Sequence, residues 1–378
     1  MQKLLIRMLY KLGANTLKYL LLLALVTSVA LLGYYSAQWS EKIGDDDANR
    51  GSLAVSDTQF GDRVEPGRLV YLPEQQWKTA DSLWFYSTTQ GSDLIPYDFF
   101  LVLERLDQSG QFRANENMNR YRYLTQKRTP SNPDGLPVGM AADTYKGKKY
   151  MGFTCAACHT AQINYKGTGI RIDGGPATAD MDTFMQDLGA ALAATNSDDL
   201  KKKRFAKSVM DLGHYHNETE VANDLKIFAL RIRVYNFINR SATDYGFGRL
   251  DAFGRIYNRV LQHILTAQEL RALLRDTLSE GELNMVLPEF ERVLTEQDRE
   301  HIIEGLAAIL DLRQQAELKN KIFNPPNAPV SYPFIWDIPQ HDYVQWNGIA
   351  DNSGEGPIGR NAGEVIGVFA TLDLSEKP

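Results

Sequence analysis

The stretch Phe153-Thr154-Cys155-Ala156-Ala157-Cys158-His159-Thr160 limits this chain more than any other. It holds the only two cysteines in 378 residues, two residues apart, with a histidine directly after the second. Cys-x-x-Cys-His is the attachment pattern of a c-type haem. Two thiols one helical turn apart can each add to a vinyl group on one edge of a porphyrin, and the adjoining imidazole can then reach the iron. Covalent bonds hold such a cofactor, which leaves the protein to tune and shield it. Three other readings compete. A thioredoxin-like dithiol belongs in a strand–helix–strand pattern, which does not surround this pair. A structural zinc site needs two further ligands, and no other cysteine exists to supply them. Chance is the third. The reading adopted is one haem c on Cys155 and Cys158, with His159 as the iron ligand.

The N-terminus adds a compartment. Lys3, Arg7, Lys11 and Lys18 precede an apolar run from Tyr19 to Tyr35, and Asp45, Asp46 and Asp47 follow it. A basic leading flank and an acidic trailing one describe an export signal or a membrane anchor with its N-terminus in the cytoplasm. Tyr34 and Tyr35 stand where a cleavage site wants small residues, which favours an uncleaved anchor in the inner membrane and a periplasmic body. Covalent c-type haem is attached on that same far side of the bacterial inner membrane. A net charge of −6 and the lack of any basic block argue against nucleic acid as a partner.

Four regions follow: a signal or anchor segment over 1–40, a tether and exported region over 41–129, a helical haem domain over 130–325, and an aromatic, irregular tail over 326–378. Within them, Tyr97–Leu103 reads as a strand or a short buried helix. Gln162–Ile172 alternates as a hairpin with Ile163, Tyr165, Ile170 and Ile172 on one side. Met181, Phe184, Met185, Leu188 and Leu192 recur at helical spacing after a Thr178 or Asp180 cap. Two or three helices are expected over Thr266–Ile322. The fold class expected is mainly α, a cytochrome c-type haem domain with long loops and a few short strands behind a transmembrane or signal segment.

Five further stretches stand out: Asn132-Pro133-Asp134-Gly135-Leu136-Pro137, Ile172-Asp173-Gly174-Gly175-Pro176, Gly248-Arg249-Leu250-Asp251-Ala252-Phe253-Gly254, Phe334-Ile335-Trp336-Asp337 and Gln340-His341-Asp342. With the haem motif and in this order, they make the chain from about Pro130 onward resemble the bacterial di-haem cytochrome c peroxidase-like proteins, nearest the branch of the haem-containing rubber oxygenases. The resemblance implies two haems, one handling electrons and one meeting peroxide or oxygen. This chain carries one Cys-x-x-Cys-His, which makes it a fragment, a truncated product or a one-haem variant of that pattern; a second haem would belong to a longer protein. It further implies a redox partner protein or quinone-linked electron donor, with peroxide or oxygen as acceptor.

The sixth iron ligand decides between chemistries. His214 and His216 lie in a polar loop, His263 and His301 read as ordinary helical residues, and Met181 and Met185 read as core. His341, in the tail with its family-like context, is the preferred haem-vicinity residue. Arg249 suits a haem propionate, or is an ordinary turn arginine. Trp336 and Trp346 are either an electron path or an aromatic plug on the haem face. No catalytic side chain is assigned. The function expected is a c-type cytochrome oxidoreductase passing electrons to peroxide or oxygen; the alternative is a non-catalytic electron-transfer or haem-sensing cytochrome with a closed iron.

Overall fold

The computed structural model describes residues 18–19, 22–33, 49–55, 60–72, 75–107, 110–287, 294–345 and 348–372. Its strands are β1 (Leu69–Tyr71), β2 (Ile95–Pro96), β3 (Met140–Tyr145), β4 (Lys148–Phe153), β5 (Thr160–Tyr165), β6 (Thr168–Asp173), β7 (Arg249–Leu250), β8 (Val330–Ser331), β9 (Tyr343–Val344) and β10 (Ala350–Asp351). They form two three-stranded sheets, β2-β4-β3 and β1-β6-β5, and the two-stranded pairs β7-β8 and β10-β9. The helices are α1 (Thr79–Ser87), α2 (Tyr97–Val102), α3 (Asn115–Arg120), α4 (Met181–Ser197), α5 (Asp199–Met210), α6 (Glu218–Ile238), α7 (Ala252–Ile264), α8 (Ala267–Leu274), α9 (Glu280–Val286), α10 (Glu296–Ile309), α11 (Leu312–Ile322) and α12 (Gly356–Gly367).

This is a mixed α/β protein, which corrects the mainly α expectation. The hairpins β3–β4 and β5–β6 directly flank the cysteine motif, so the haem-type sequence joins two sheets instead of opening a helix. The expected membrane-spanning segment is corrected too: among the described residues no helix is long and apolar enough to cross a membrane. Tyr34 and Tyr35, and most of the charged flanks, lie outside the described residues.

The hairpin expected over Gln162–Ile172 is present, turning through Lys166 and Gly167, both at positive φ. Its buried face is the polar one. Gln162, Asn164, Arg171 and Asp173 are buried while Ile163 and Tyr165 are exposed. The inward polar groups satisfy one another and their surroundings: Arg171 reaches Gln162 Oε1 at 3.0 Å, and the Gln162 and Asn164 amides both donate to the Val55 carbonyl. A buried polar face survives only when so partnered.

The main core lies beneath this. Phe184 of α4 meets the rings of Phe112, Tyr121, Tyr123 and Phe153 at centroid distances of 5.6, 5.5, 5.2 and 5.7 Å. Each such ring stabilises the fold by roughly 1.5–3 kcal/mol through burial, and Phe153 anchors β4 immediately before the motif. Asp180 caps α4 by accepting from the Thr183 amide. A second core joins Leu270, Leu274, Leu283, Val286, Ile302 and Leu310 across α8–α11. All four of these helices begin with reciprocal capping pairs: Thr266/Glu269, Ser279/Glu282, Thr295/Asp298 and Asp311/Gln314. Such a cap contributes about 1 kcal/mol.

Candidate functional site around Cys155, Cys158 and His159

The motif is a single 3-10 turn over Cys155–Ala157. The Thr154 amide donates to the Gly139 carbonyl at 2.8 Å and its hydroxyl caps the Ala156 amide. The Cys158 and His159 amides then turn back onto the Cys155 carbonyl at 3.2 and 3.0 Å, and Cys158 O receives the Ala177 amide at 3.0 Å. Gly139, at φ +80°, lets this turn sit directly on the β3 entry, since a Cβ there would lie 2.0 Å from the Ala157 nitrogen.

Both thiols are free. Cys155 is exposed and takes a hydrogen bond from the Gln90 side-chain amide; Cys158 is half-buried beside Tyr332. Burial raises the Cys155 thiol above its ordinary range. The same cause, reinforced by Cys155, pushes Cys158 up to about 12. Reactive dithiols have the opposite property, a thiol lowered at a helix N-terminus, and this pair sits in no such place. The structural zinc alternative fares no better: among the described residues no three His, Cys, Asp or Glu side chains are grouped to hold a metal ion.

His159 Nδ1 lies 2.7 Å from the Pro333 carbonyl oxygen. A carbonyl only accepts, so Nδ1 carries the proton and Nε2 keeps its lone pair. Metal-bound histidines are oriented by this kind of hydrogen bond. Burial lowers the pKa of His159, which favours the neutral ring.

Pro333 is held by a relay of contacts. β8 pairs with β7, placing Ser331 opposite Arg249. The Tyr332 amide donates to Gly248 O, and the Ile335 amide to Gly174 O at 2.9 Å. Trp336 Nε1 donates to the Asp173 carbonyl at 2.8 Å, while the buried Asp173 carboxylate is gripped by Arg50, Ser82 and Tyr86. Gly174 has φ +71°, and a Cβ there would stand 2.8 Å from Trp336 Nε1. Stretches singled out around Asp173, Gly248 and Trp336 therefore converge behind His159.

α12 packs on α7, with Gly367 against Ile256, and brings Glu364 next to Cys155. α7 is inverted: Arg255, Asn258 and His263 are buried, whereas Phe253, Tyr257 and Ile264 are exposed. Ile358 of α12 is 72% exposed, so the helices beside the motif present bare apolar side chains.

The other candidates separate clearly. Arg249 is exposed on β7, without an ion pair among the described residues, two positions in register from the Pro333 segment. Trp336 stacks on Phe334 at 5.5 Å and braces the tail. His341 is exposed after a short turn in that tail. His214 is engaged by Asp98, and Met181 and Met185 are buried core residues. Trp346 lies outside the described residues. Sequence reasoning missed Pro333 as an orienting group, along with Gln90, Tyr332 and Glu364; a backbone carbonyl leaves no side-chain signal.

The chain matches no protein-family model and no solved structure. It is 28% identical over 336 residues to the uncharacterized protein y4iJ of Sinorhizobium fredii strain NBRC 101917 / NGR234, covering 81% of this chain and 46% of that protein. The chain thus spans less than half the length of this relative.

Proposed function

We propose that this chain carries one haem c, joined by thioethers at Cys155 and Cys158 and ligated by His159 Nε2, and that it serves as a c-type cytochrome oxidoreductase. The observation that carries the reading is the 2.7 Å contact from His159 Nδ1 to Pro333 O, which leaves the ligating nitrogen bare beside two unbridged thiols. The exposed apolar side chains of α7 and α12 suit a porphyrin's faces, and Arg249, without an ion pair among the described residues, suits a propionate. When bound, the haem supplies one-electron chemistry toward a donor on one side and peroxide or oxygen on the other. The protein's own part is to hold the imidazole neutral and aligned, exclude water at Phe253 and Tyr257, and position Arg249. In a longer protein a second haem would complete the peroxidase-like division of labour. Attachment chemistry of this kind implies a periplasmic site of assembly.

The test is expression in a host able to attach c-type haem, followed by pyridine haemochrome spectra and haem staining of the denatured chain. Covalent haem is expected in the wild type. Cys155→Ala should keep one thioether and shift the α band to longer wavelength, and the double Cys→Ala variant should lose covalent haem. An unmodified wild-type chain sinks the proposal. A carbon monoxide shift of the reduced spectrum assigns an open iron and the enzymatic role; a spectrum indifferent to carbon monoxide assigns electron transfer alone.

A further inference from the structure

Away from the motif, α6, α7, α10 and α11 line a partly open cavity of about 570 Å³, a size typical of sites for small organic ligands. Its walls are mostly apolar, with Ile232, Leu270, Ile302, Leu306, Leu318 and Ile322 among them. The inverted face of α7 contributes Arg259, Gln262 and His263 to this lining.

Three cations of the lining, Arg233, Arg259 and Lys319, have no ion pair among the described residues; Arg233 is exposed and Lys319 lies over the Phe237 ring, which leaves Arg259 as the one with a buried, unpartnered nitrogen. Arg231 is held by Glu296 and Glu300, Asp93 accepts from Thr371, and Arg299 donates to the Leu294 carbonyl at 2.6 Å. Arg259 has no ion pair, and neither its Nε nor the Gln262 Nε2 has a hydrogen-bond partner among the described residues. A guanidinium largely withdrawn from water and without its own ion pair is costly, and here burial pulls its pKa down to about 10. Such an arrangement is stable in use when a ligand brings the missing charge.

We infer that this cavity binds an aliphatic carboxylate, its headgroup on Arg259 and Gln262 and its chain among the α10 and α11 side chains. A carboxylate supplies the negative charge that Arg259 lacks, and its two oxygens match the guanidinium fork. The apolar walls select a hydrocarbon tail over a compact anion such as phosphate.

Sodium dodecanoate, titrated calorimetrically into the full chain, tests this without reference to haem. Saturable one-to-one binding is expected, with dodecanol at least tenfold weaker. Arg259→Gln should weaken dodecanoate at least tenfold, and Leu306→Trp, which fills the cavity, should abolish binding. Without ligand, Arg259→Gln should melt no lower than the wild type, since it removes an unbalanced buried charge. Absent saturable binding, equal affinity for acid and alcohol, undiminished binding by either variant, or a lower melting temperature for ligand-free Arg259→Gln would each overturn the assignment.

Discussion

Asp173 shows how one residue can govern a site it does not touch. Its carboxylate is wholly buried, with Arg50, Ser82 and Tyr86 all directed at it, while its backbone carbonyl holds Trp336. Burial, followed by the nearby Asp173 charge, raises the Tyr86 hydroxyl well above its ordinary range, so that proton stays in place as a donor. Asp173→Asn preserves the shape but leaves Arg50 as an unbalanced cation in the interior. Breaking a buried pair on one side costs about 3–5 kcal/mol, so the urea midpoint should fall accordingly. Arg50→Met combined with Asp173→Asn should recover part of the loss, because the stranded charge is then gone. A single variant within about 1 kcal/mol of the wild type would show that the network contributes little.

At the scale of elements, the motif turn depends on Gly139. Gly139→Ala would place a methyl 2.0 Å from the Ala157 nitrogen at φ +80°, forcing the turn off β3. A loss of more than about 2 kcal/mol is expected by urea unfolding. Gly147 is the control: it has φ +79° with nothing within 4 Å, so alanine there should cost only about 1 kcal/mol of backbone strain. Equal losses at the two positions would refute a packing role for Gly139. The same elements explain what could be read in advance. Alternation over Gln162–Ile172 revealed the hairpin, and the Met181–Leu192 spacing revealed α4, because periodicity depends only on geometry. Which face turns inward depends on partners. Ile163 and Tyr165 of β5, and Phe253 and Tyr257 of α7, look like core residues in a sequence, yet the structure buries Arg171, Asp173, Arg255 and Asn258 instead. Their compensating contacts come from chain segments about 20 to 120 residues away, beyond any local window. The cysteine motif was legible because its chemistry lies within five residues; the Pro333 carbonyl, 174 residues from His159, was not.

Across the whole molecule, acid is expected to act at His263, on the helix that lines the cavity beside the second core. His263 is 6% exposed on α7, where it lines the cavity between α6 and α10–α11, and its Nδ1 donates to the Arg259 carbonyl at 2.8 Å. Burial, aided by the charges of Arg259, Arg299 and Arg231, holds its pKa down to about 4. The nearby carboxylates Glu296 and Glu300 are already engaged by Arg231, so they offer a new imidazolium little relief. An unfolded chain protonates this histidine near pH 6.5, whereas the folded chain resists until about pH 4. Between those values the unfolded state binds more protons, so stability present above pH 6.5 is lost as the pH falls, by up to about 3 kcal/mol from this group. His263→Phe should flatten that segment of the stability–pH curve, measured by urea unfolding from pH 7 to pH 4. Hydrogen exchange should localise the loss: at pH 4.5, amides of α10 such as Ile302 and Leu306 should lose protection before those of Phe184 and Leu188 in α4, because Ile302 and Leu306 line the cavity with His263 and the α4 pair does not. An unchanged pH slope in His263→Phe, or simultaneous loss of protection in both cores, would place the acid-sensitive group elsewhere.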